Sequence, residues 1–373
     1  MSKKLKILLT NHNLADRAGT QLYIRDLALE LQKMGHSPFV YSPLIGEVAQ
    51  ELRFATIPIV SDLTQLTFQP DVIHGHHQLE TLTALLHFPR TPALFVCHGW
   101  FPWQEAPIKF PRIFRYVAID CLTYNRLVIE NGIPEANVRL ILNSADMQLF
   151  KPRASLPQKP IKALVYSNHI GKNMATFKTI QKACHKFDIE TSLVGLQSGL
   201  STNRPEQVLL NYDIVFAIGR SAIEALATGA AVIICSGNQI GSMVTTENLE
   251  EMRQKNFALQ AMQRPTSYEA VLEELSKYNP VDAARVCGHL RQRSSTKQMT
   301  EDLVDLYQEI IQISHDPDPK QEFQALSHYL HQFSKEMANN NQKLLSFMNI
   351  YQRFNKGPFL KPILKWMKKI FFS

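Results

Sequence analysis

Short apolar segments alternate with amphipathic helical patterns along most of this chain. The segment KLKILLT at residues 4–10 precedes a polar loop and then a helical pattern over about residues 20–34, which Gly35 ends. The same rhythm recurs through further strand-like segments: PFVYS (38–42), PDVIHGHH (70–77), ALFVCHGW (93–100), YVAID (116–120) and VRLILNS (138–144). Strands that alternate with helices predict a mostly parallel sheet covered on both faces.

A second series of such units follows the proline-rich stretch KPRASLPQKP at residues 151–160, which is the best candidate linker. Its strand-like segments are KALVYSN, ETSLVG, DIVFAIG and AAVIIC, before the polar loop SGNQIGSMVTTEN. A chain of 373 residues exceeds what one core usually supports. We therefore predict two doubly wound Rossmann-like domains, residues 1–155 and 156–315, facing a central cleft, with C-terminal helices in residues 316–373.

Composition and charge limit the class of protein. The net charge is +7, yet residues 351–373 carry six Lys and Arg residues and no acid, so the body is close to neutral. Five scattered cysteines without a CxxC pair indicate reduced thiols in the cytoplasm. The first apolar run ends too early for a signal peptide, and no run of 18 apolar residues occurs. A basic stripe confined to one terminus argues against nucleic-acid binding.

The stretch DIVFAIGRSAIEALATG, residues 213–229, places Gly219, Arg220 and Ser221 between a predicted strand and a predicted helix. Free amides and the helix dipole at such a junction bind anions, and the guanidinium and hydroxyl are further donors. Glu224, one turn later, can accept hydrogen bonds from the hydroxyls of a ribose. The alternative is that Ser221 only caps the helix, Glu224 favours its first turn and Arg220 is solvated.

The ordered set of motifs resembles family 4 retaining glycosyltransferases of the GT-B fold over about residues 4–315. The donor segment of that family ends as residues 224–229 do here, in Glu-Ala, a small residue and Gly. The other matching segments are Ala18-Gly19-Thr20-Gln21, Gly35-His36, PDVIHGHH, VCHGW and LILNSADMQLFKP.

The resemblance implies a transferase that uses a nucleotide-diphosphate sugar as its donor substrate, with retention of anomeric configuration and without a required metal ion. It implies that Arg220, Ser221 and Lys172 neutralise the diphosphate, that Glu224 holds the donor ribose, and that His98 positions the transferred sugar. Gly19 and Thr20, together with Gly219, are expected to face the diphosphate or, for the first helix, an anionic acceptor; a plain helix start is the alternative.

Two positions depart from the family pattern. The first of its two donor-site glutamates corresponds here to Phe216. The usual Arg and Lys pair after the first strand of the second domain is also missing from YSNHIGKN, where Lys172 is the candidate cation. These departures leave open a non-catalytic protein of the same fold.

Histidines and tryptophans accompany the predicted strand ends of the first domain. His98 follows ALFVC, where it is expected to project into the cleft, and Trp100 and Trp103 offer flat faces for sugars; a buried histidine bonded to a backbone carbonyl is the alternative. His74, His76 and His77 lack a carboxylate or cysteine partner at ligand spacing, which argues against a metal site.

The segment FLKPILKWMKKIFF, residues 359–372, has apolar residues at helical spacing and lysines over much of the remaining circumference. This pattern predicts that residues 356–373 lie on an anionic membrane surface, at the inner face of the plasma membrane, with a glycan or lipid-linked acceptor presented there. The alternative is a terminal helix that docks on the protein's own core or on a partner.

Three other functions remain as alternatives at this stage. A sugar-nucleotide epimerase of the same fold would need acid and base carboxylates on loops of the first domain, where Asp16 is the only obvious acid in the first loop. A scaffold protein would lack donor hydrolysis. Nucleic-acid binding through the tail would predict retention on heparin without binding of a nucleotide sugar.

Overall fold

A computed structural model of the protein describes residues 4–100, 103–200, 202–313 and 316–354. The chain divides into two compact units. One comprises residues 1–107 and 112–316, and contains both sheets; the other comprises residues 108–111 and 317–373. The predicted segment of the basic tail, residues 356–373, lies outside the described residues.

The first lobe is built on a seven-stranded parallel sheet whose order, in the labels given next, is β5-β3-β1-β6-β7-β8-β9. Its strands, together with a small parallel pair formed by β2 and β4, are β1 Lys6–Thr10, β2 Asn13–Leu14, β3 Ser37–Tyr41, β4 Leu44–Ile45, β5 Ile59–Val60, β6 Val72–His76, β7 Ala93–Cys97, β8 Ile113–Ala118 and β9 Val138–Leu140. The helices are α1 Gly19–Lys33, α2 Glu47–Phe54, α3 Gln78–His87 and α4 Cys121–Asn125. The predicted parallel sheet is confirmed.

The second lobe is built on a six-stranded sheet of order β11-β10-β12-β13-β14-β15, in which β14 and β15 run antiparallel to their neighbours. Its strands are β10 Lys162–Tyr166, β11 Glu190–Val194, β12 Ile214–Ala217, β13 Ala231–Ser236, β14 Gln239–Met243 and β15 Met262–Pro265. The helices that follow are α5 Ala175–His185, α6 Pro205–Leu209, α7 Gly219–Ala227, α8 Leu249–Gln254, α9 Tyr268–Ser276, α10 Pro280–Arg293, α11 Thr296–Ile313 and α12 Pro319–Phe354.

Strand β14 corrects the prediction of a polar loop over SGNQIGSMVTTEN. Gly241 explains why that prediction was wrong: a Cβ there would lie 2.1 Å from the carbonyl oxygen of Ala261, so only glycine allows the backbones of β14 and its neighbour to approach this closely. This required glycine and its polar neighbours give the stretch the composition of a loop, although Ile240 and Met243 are buried as in a strand.

Helix α11 follows the second sheet in sequence but packs into the core of the first. Leu303, Tyr307 and Ile310 belong to the same buried cluster as Ile7 and Leu9 of β1. The chain returns to the first lobe beside Ala145. The amide of Ala145 donates to the Ser294 carbonyl at 3.0 Å, and its carbonyl accepts from the Thr296 amide at 3.1 Å. The two lobes are thus connected twice. Within the described ranges, no helix has the length and apolar character needed to cross a membrane.

Candidate functional site

Two cavities open between the lobes, where loops leave the carboxyl ends of the strands. The first, of about 370 Å³, is lined by the loop before α1, the loop after β10 and the start of α7. The second, of about 640 Å³, is lined by the ends of first-lobe strands and by the return into α11. Gly19, His169 and Arg220 line both cavities, so the two form neighbouring compartments of one cleft.

Two helix N-termini face this cleft. Helix α1 follows Ala18 and α7 follows Ile218, and neither preceding residue makes a side-chain cap hydrogen bond. First-turn amides of a helix have no intrahelical partner, so both termini present donors and the positive end of a dipole. Gly219 has φ of +56°, a backbone conformation that favours glycine, and its amide donates to the Phe257 carbonyl at 2.8 Å.

Arg220 forms an ion pair across the cleft. Its Nε lies 2.7 Å from Oε1 of Glu224, and its guanidinium also pairs with the carboxylate of Asp26 on α1. The side chains of Arg220 and Asp26 are only 16% and 11% exposed. The guanidinium of Arg220, which the sequence analysis expected to neutralise the diphosphate, is therefore already neutralised by two carboxylates.

Asp26 is held by a second arginine and was missed by sequence reasoning. Arg25 pairs with Asp26 at 2.7 Å and with Glu51 at 3.0 Å. Burial alone would raise the pKa of Asp26, but Arg220 and Arg25 outweigh it and lower that pKa below its usual value. The available signal was an acid in the middle of the first helix, directly after an arginine and between the buried residues Ile24 and Leu27.

Glu224 and Ser221 lie where α7 borders the first cavity. Glu224 is buried, and its Oε2 lies 3.4 Å from the hydroxyl of Tyr166, which lines the same cavity. Burial raises the pKa of Glu224, opposed by Arg220. The Ser221 hydroxyl donates to the Ile218 carbonyl at 2.8 Å instead of accepting from a helix amide.

Lys172 is exposed and does not line either cavity. The structure brings other cations to the first cavity, namely Arg17 and Arg25 of the first lobe. Arg17 pairs with Glu51 and lies 3.8 Å from Glu47. Burial and the neighbouring Arg25 lower the pKa of Arg17.

Three histidines stack beneath the second cavity, and His98 is the member that lines it. His98 Nε2 lies 2.5 Å from His76 Nδ1, with ring centroids 4.5 Å apart, and the His74 ring stacks on His76 at 4.7 Å. His74 Nδ1 lies 2.6 Å from the hydroxyl of Tyr307 on α11. Burial lowers the pKa of all three, which keeps them neutral near pH 7. Neutral imidazoles can donate and accept hydrogen bonds, but they cannot neutralise the charge of a bound anion.

Thr20 and Gly19 stand at the start of α1, where both border the second cavity and Gly19 also borders the first. Nothing lies within 4 Å of a Cβ built on Gly19, so the space beside it is open. Among the described residues, no group of three or more His, Cys, Asp or Glu side chains is arranged to hold a metal ion.

Glu105 is a carboxylate of the second cavity that the sequence did not indicate. It lies in the loop after β7, with its side chain 14% exposed and its Oε1 3.9 Å from Nε2 of His77. Burial raises its pKa to about 7, although Arg126 opposes the shift. The loop is held in place because Gln78 donates to the Trp103 carbonyl at 2.6 Å and Arg126 donates to the Gly99 carbonyl.

The tryptophans of this loop have a different position from the one expected of sugar-stacking groups. Trp100 and Trp103 are 42% and 37% exposed, and neither lines the two cavities. The indole of Trp100 donates to Glu130 at 2.7 Å. Phe216, at the position of the absent glutamate, is fully buried in β12 and packs in the core of the second sheet.

Comparison with known proteins agrees with this architecture. The model of Glycosyltransferase Family 4 matches residues 17–149, which lie in the first lobe. A glycosyltransferase from Rickettsia africae ESF-5 superposes with a TM-score of 0.62 at 15% identity, covering 84% of this chain and all of that one. The fold is therefore the two-lobed GT-B fold of glycosyltransferases.

Two further solved structures share the fold. Anabaena HepE, in complex with UDP and glucose, has a TM-score of 0.59 at 14% identity and covers 81% of this chain and 99% of that one. A putative UDP-N-acetylglucosamine 2-epimerase from Listeria monocytogenes has a TM-score of 0.52 at 12% identity, over 85% and 99%. No sequence among the curated proteins matches the chain.

Proposed function

We propose that this protein is a glycosyltransferase that moves a sugar from a nucleotide-diphosphate donor to a glycan or lipid-linked acceptor, with retention of configuration. The observation that carries the proposal is the first cavity, where two helix N-termini without side-chain caps converge beside Glu224 and Tyr166. Such a site offers donors to a diphosphate and acceptors to the hydroxyls of a sugar. The family match of residues 17–149 and the fold shared with HepE, solved with UDP, support it.

The donor diphosphate binds between the N-termini of α1 and α7 in this proposal. First-turn amides near Gly19 and Thr20, and those that follow Gly219 in α7, meet negative charge that grows on the leaving diphosphate; the Gly219 amide itself is bound to the Phe257 carbonyl. Fixed donors that need no reorganisation stabilise the transition state. Ser221 adds a hydroxyl by rotating away from the Ile218 carbonyl. In this proposal the positive ends of the two helix dipoles meet the diphosphate, and no metal ion is required.

Arg220 acts in this scheme mainly by fixing Glu224. The 2.7 Å contact between the two side chains orients the carboxylate that receives the ribose hydroxyls. The charge of Arg220 is shared with Asp26, so its contribution to the diphosphate is smaller than that of an unpaired guanidinium. Lys172 contributes to the donor only if the loop after β10 brings it toward the first cavity.

His98 positions the transferred sugar. It borders the second cavity, and its Nε2 is engaged by His76, so its Nδ1 is the nitrogen available to a sugar hydroxyl. Because the ring is neutral at pH 7, the interaction is an ordinary hydrogen bond whose loss costs about 1 kcal/mol or slightly more.

The acceptor is proposed to reach the second cavity at an anionic membrane surface bound by residues 356–373. The support is the sequence pattern of that segment, with lysines around an apolar stripe. In this proposal the protein acts at the inner face of the plasma membrane, in the synthesis of a surface glycan or glycolipid.

Glu105 favours a second candidate function, the epimerisation of a sugar nucleotide. An epimerase of this fold needs a carboxylate on a first-lobe loop, and Glu105 provides one at the second cavity with a pKa near neutrality. Incubation with UDP-N-acetylglucosamine separates the two functions, since an epimerase interconverts the sugar nucleotide and a transferase releases UDP.

Ligand-observed NMR with UDP, UDP-glucose, UDP-N-acetylglucosamine and GDP-mannose tests the proposal. We expect Glu224→Ala to weaken binding about tenfold, as for the loss of one or two hydrogen bonds to a charged group. Glu269→Ala, an exposed site on α9, is the matched control and should bind as the wild type does. Absence of binding by the wild type to all four compounds would contradict the proposal.

A further inference from the structure

The second cavity is rich in uncharged polar side chains. Nine of its 21 described lining residues carry a side-chain amide or an aliphatic hydroxyl. They come from both lobes, since Gln21 lies on α1 and Gln104 in the loop after β7, whereas Asn256 follows α8. Amides and hydroxyls both donate and accept hydrogen bonds. The lining therefore matches the hydroxyl groups of a sugar better than a charged group.

The charges on this lining balance one another. Among the described lining residues Arg220 is the only Lys or Arg, and the carboxylates of Asp26 and Glu224 already neutralise it. Glu105 is the carboxylate that remains, and it becomes negative as the pH rises through its pKa of about 7. The first cavity, in contrast, is lined by three arginines. An anionic ligand in the second cavity would lose its hydration and meet no unpaired guanidinium or ammonium group of the described lining.

The histidines of the second cavity leave this balance unchanged. Burial lowers the pKa of His98, and it lowers that of His77 to about 4, so both rings are neutral near pH 7. His12 and His169 are exposed to solvent, which screens any charge that they carry. The lining thus offers hydrogen bonds to a ligand without a fixed positive charge.

Asn143 and Asn256 each have an amide oxygen without a partner. Both residues line the second cavity, and within the described ranges neither Oδ1 receives a hydrogen bond. Asn256 is only 6% exposed and has φ of +53°, followed by +51° at Phe257. Two successive residues in this region strain the backbone, and strain of this kind clusters at binding sites. Because an unpaired buried oxygen costs free energy, a ligand hydroxyl that donates to it gains affinity.

We propose that the second cavity binds an uncharged saccharide as the acceptor, with Asn143 and Asn256 accepting hydrogen bonds from its hydroxyls. The inference rests on the proposed transfer function and narrows its acceptor to one chemical class. A lipid-linked acceptor enters the cavity by a terminal sugar residue, and its phosphate stays outside. The volume of about 640 Å³ lies within the range of small-molecule sites.

Saturation-transfer NMR of the full chain with methyl glycosides tests the proposal. The probes are the methyl glycosides of glucose, galactose and mannose, each compared with its uronate, in which a carboxylate replaces the exocyclic hydroxymethyl group. Spectra are recorded at about pH 8, where Glu105 is ionised, with and without saturating UDP. We expect at least one neutral glycoside to bind. Its uronate should bind at least about tenfold more weakly, because the carboxylate loses hydration without an unpaired cation in return.

Two variants assign the binding to this cavity. Asn143→Ala and Asn256→Gly each remove one amide, and each should weaken binding of the neutral glycoside about three- to tenfold. Glycine at residue 256 adopts the positive φ readily, so this change does not strain the backbone. Neither residue lines the first cavity, so the affinity for UDP should stay within about twofold. Asn238→Ala, an exposed change in the turn before β14, is the matched control and should bind both ligands as the wild type does.

A third variant should gain binding, which misfolding cannot produce. Asn143→Lys adds an unpaired cation to the second cavity and should strengthen uronate binding about tenfold. If UDP binds but no neutral glycoside does, or if the uronates bind as tightly as their neutral partners, the inference is overturned and the proposed function stands. A glycoside that binds the wild type and both amide variants equally lies elsewhere, which also overturns the inference. Glycoside binding that both amide variants weaken, without any binding of UDP, supports the saccharide site and counts against the proposed transfer.

Discussion

Replacing Asp26 by asparagine tests the ion pair that spans the cleft. The change removes the carboxylate that Arg220 and Arg25 share, while the amide keeps nearly the same shape. Breaking a buried ion pair costs about 3–5 kcal/mol. Here both arginines retain a second carboxylate, Glu224 for Arg220 and Glu51 for Arg25, which reduces the penalty. We therefore expect the free energy of unfolding to fall by about 2–3 kcal/mol.

The assay is urea unfolding of Asp26→Asn, Arg220→Met and the double variant. Each single change already removes the pair, so the double variant should lose less than the sum, with a coupling of about 2 kcal/mol. Asp305→Asn, an exposed change on α11, is the control and should shift stability by less than about 0.5 kcal/mol. Additivity of the two single changes within about 0.5 kcal/mol would refute the reasoning.

The pH dependence of the same measurement has a defined sign. The folded pKa of Asp26 is lowered below 3.8, so its ionised form stabilises the protein above the unfolded pKa, and this contribution disappears as the pH falls through the folded value. The difference between wild type and Asp26→Asn should therefore be constant above about pH 5 and shrink below about pH 4. Although Asp26→Asn should lower stability, it should strengthen UDP binding severalfold. The reason is that the variant leaves an uncompensated positive charge beside the proposed diphosphate site.

Three further outcomes follow from single features of the molecule. The folded pKa of Glu105 is about 7, above the usual 4.5, so the free energy of unfolding should fall progressively as the pH rises between those values. In urea unfolding above pH 7, Glu105→Gln should therefore have a free energy of unfolding up to about 3 kcal/mol higher than the wild type. Equal stability at pH 5 and pH 8 would contradict the raised pKa. Gly219→Ala should cost about 1–2 kcal/mol because φ is +56°, whereas Gly288→Ala within α10 should gain about 0.5–1 kcal/mol; a neutral Gly219→Ala would argue against the strained turn. Truncation after Asn355 should release the protein from anionic vesicles without changing UDP binding, and undiminished vesicle binding would exclude the tail as the anchor.

The strands were predictable because buried parallel strands are apolar throughout, and runs such as KILLT and ALFVC carry that signature without help from distant residues. The turn at Gly219 was predictable for the same local reason, since a glycine between a strand and a helix marks a special backbone conformation. Structure set by a few neighbouring residues could thus be inferred from the sequence, except at β14, where a close backbone approach at Gly241 requires glycine.

The partner of Arg220 could not be inferred in that way. Asp26 is 194 positions away, and only the approach of the two lobes brings the carboxylate to the guanidinium. Helix α11 presents the same difficulty, because its amphipathic pattern shows that one face is buried but does not show which sheet buries it. Glu105 looked like an ordinary loop carboxylate, since its raised pKa comes from burial that only the folded loop creates.

The protonation states of three carboxylates now separate the two candidate reactions. Asp26 and Glu224 are held by Arg220. Glu105 has a pKa near 7 and lies 3.9 Å from His77, so it is the one of the three suited to exchange a proton. Epimerisation requires such a group to take a proton from the sugar nucleotide, so Glu105→Gln should abolish it. Sugar transfer with retention can deliver the acceptor proton to the departing diphosphate, and there Glu105→Gln should leave UDP release from UDP-glucose largely intact. Loss of UDP release in this variant, with UDP binding unchanged, would instead make Glu105 the base for the attacking hydroxyl and argue against transfer by the leaving group alone.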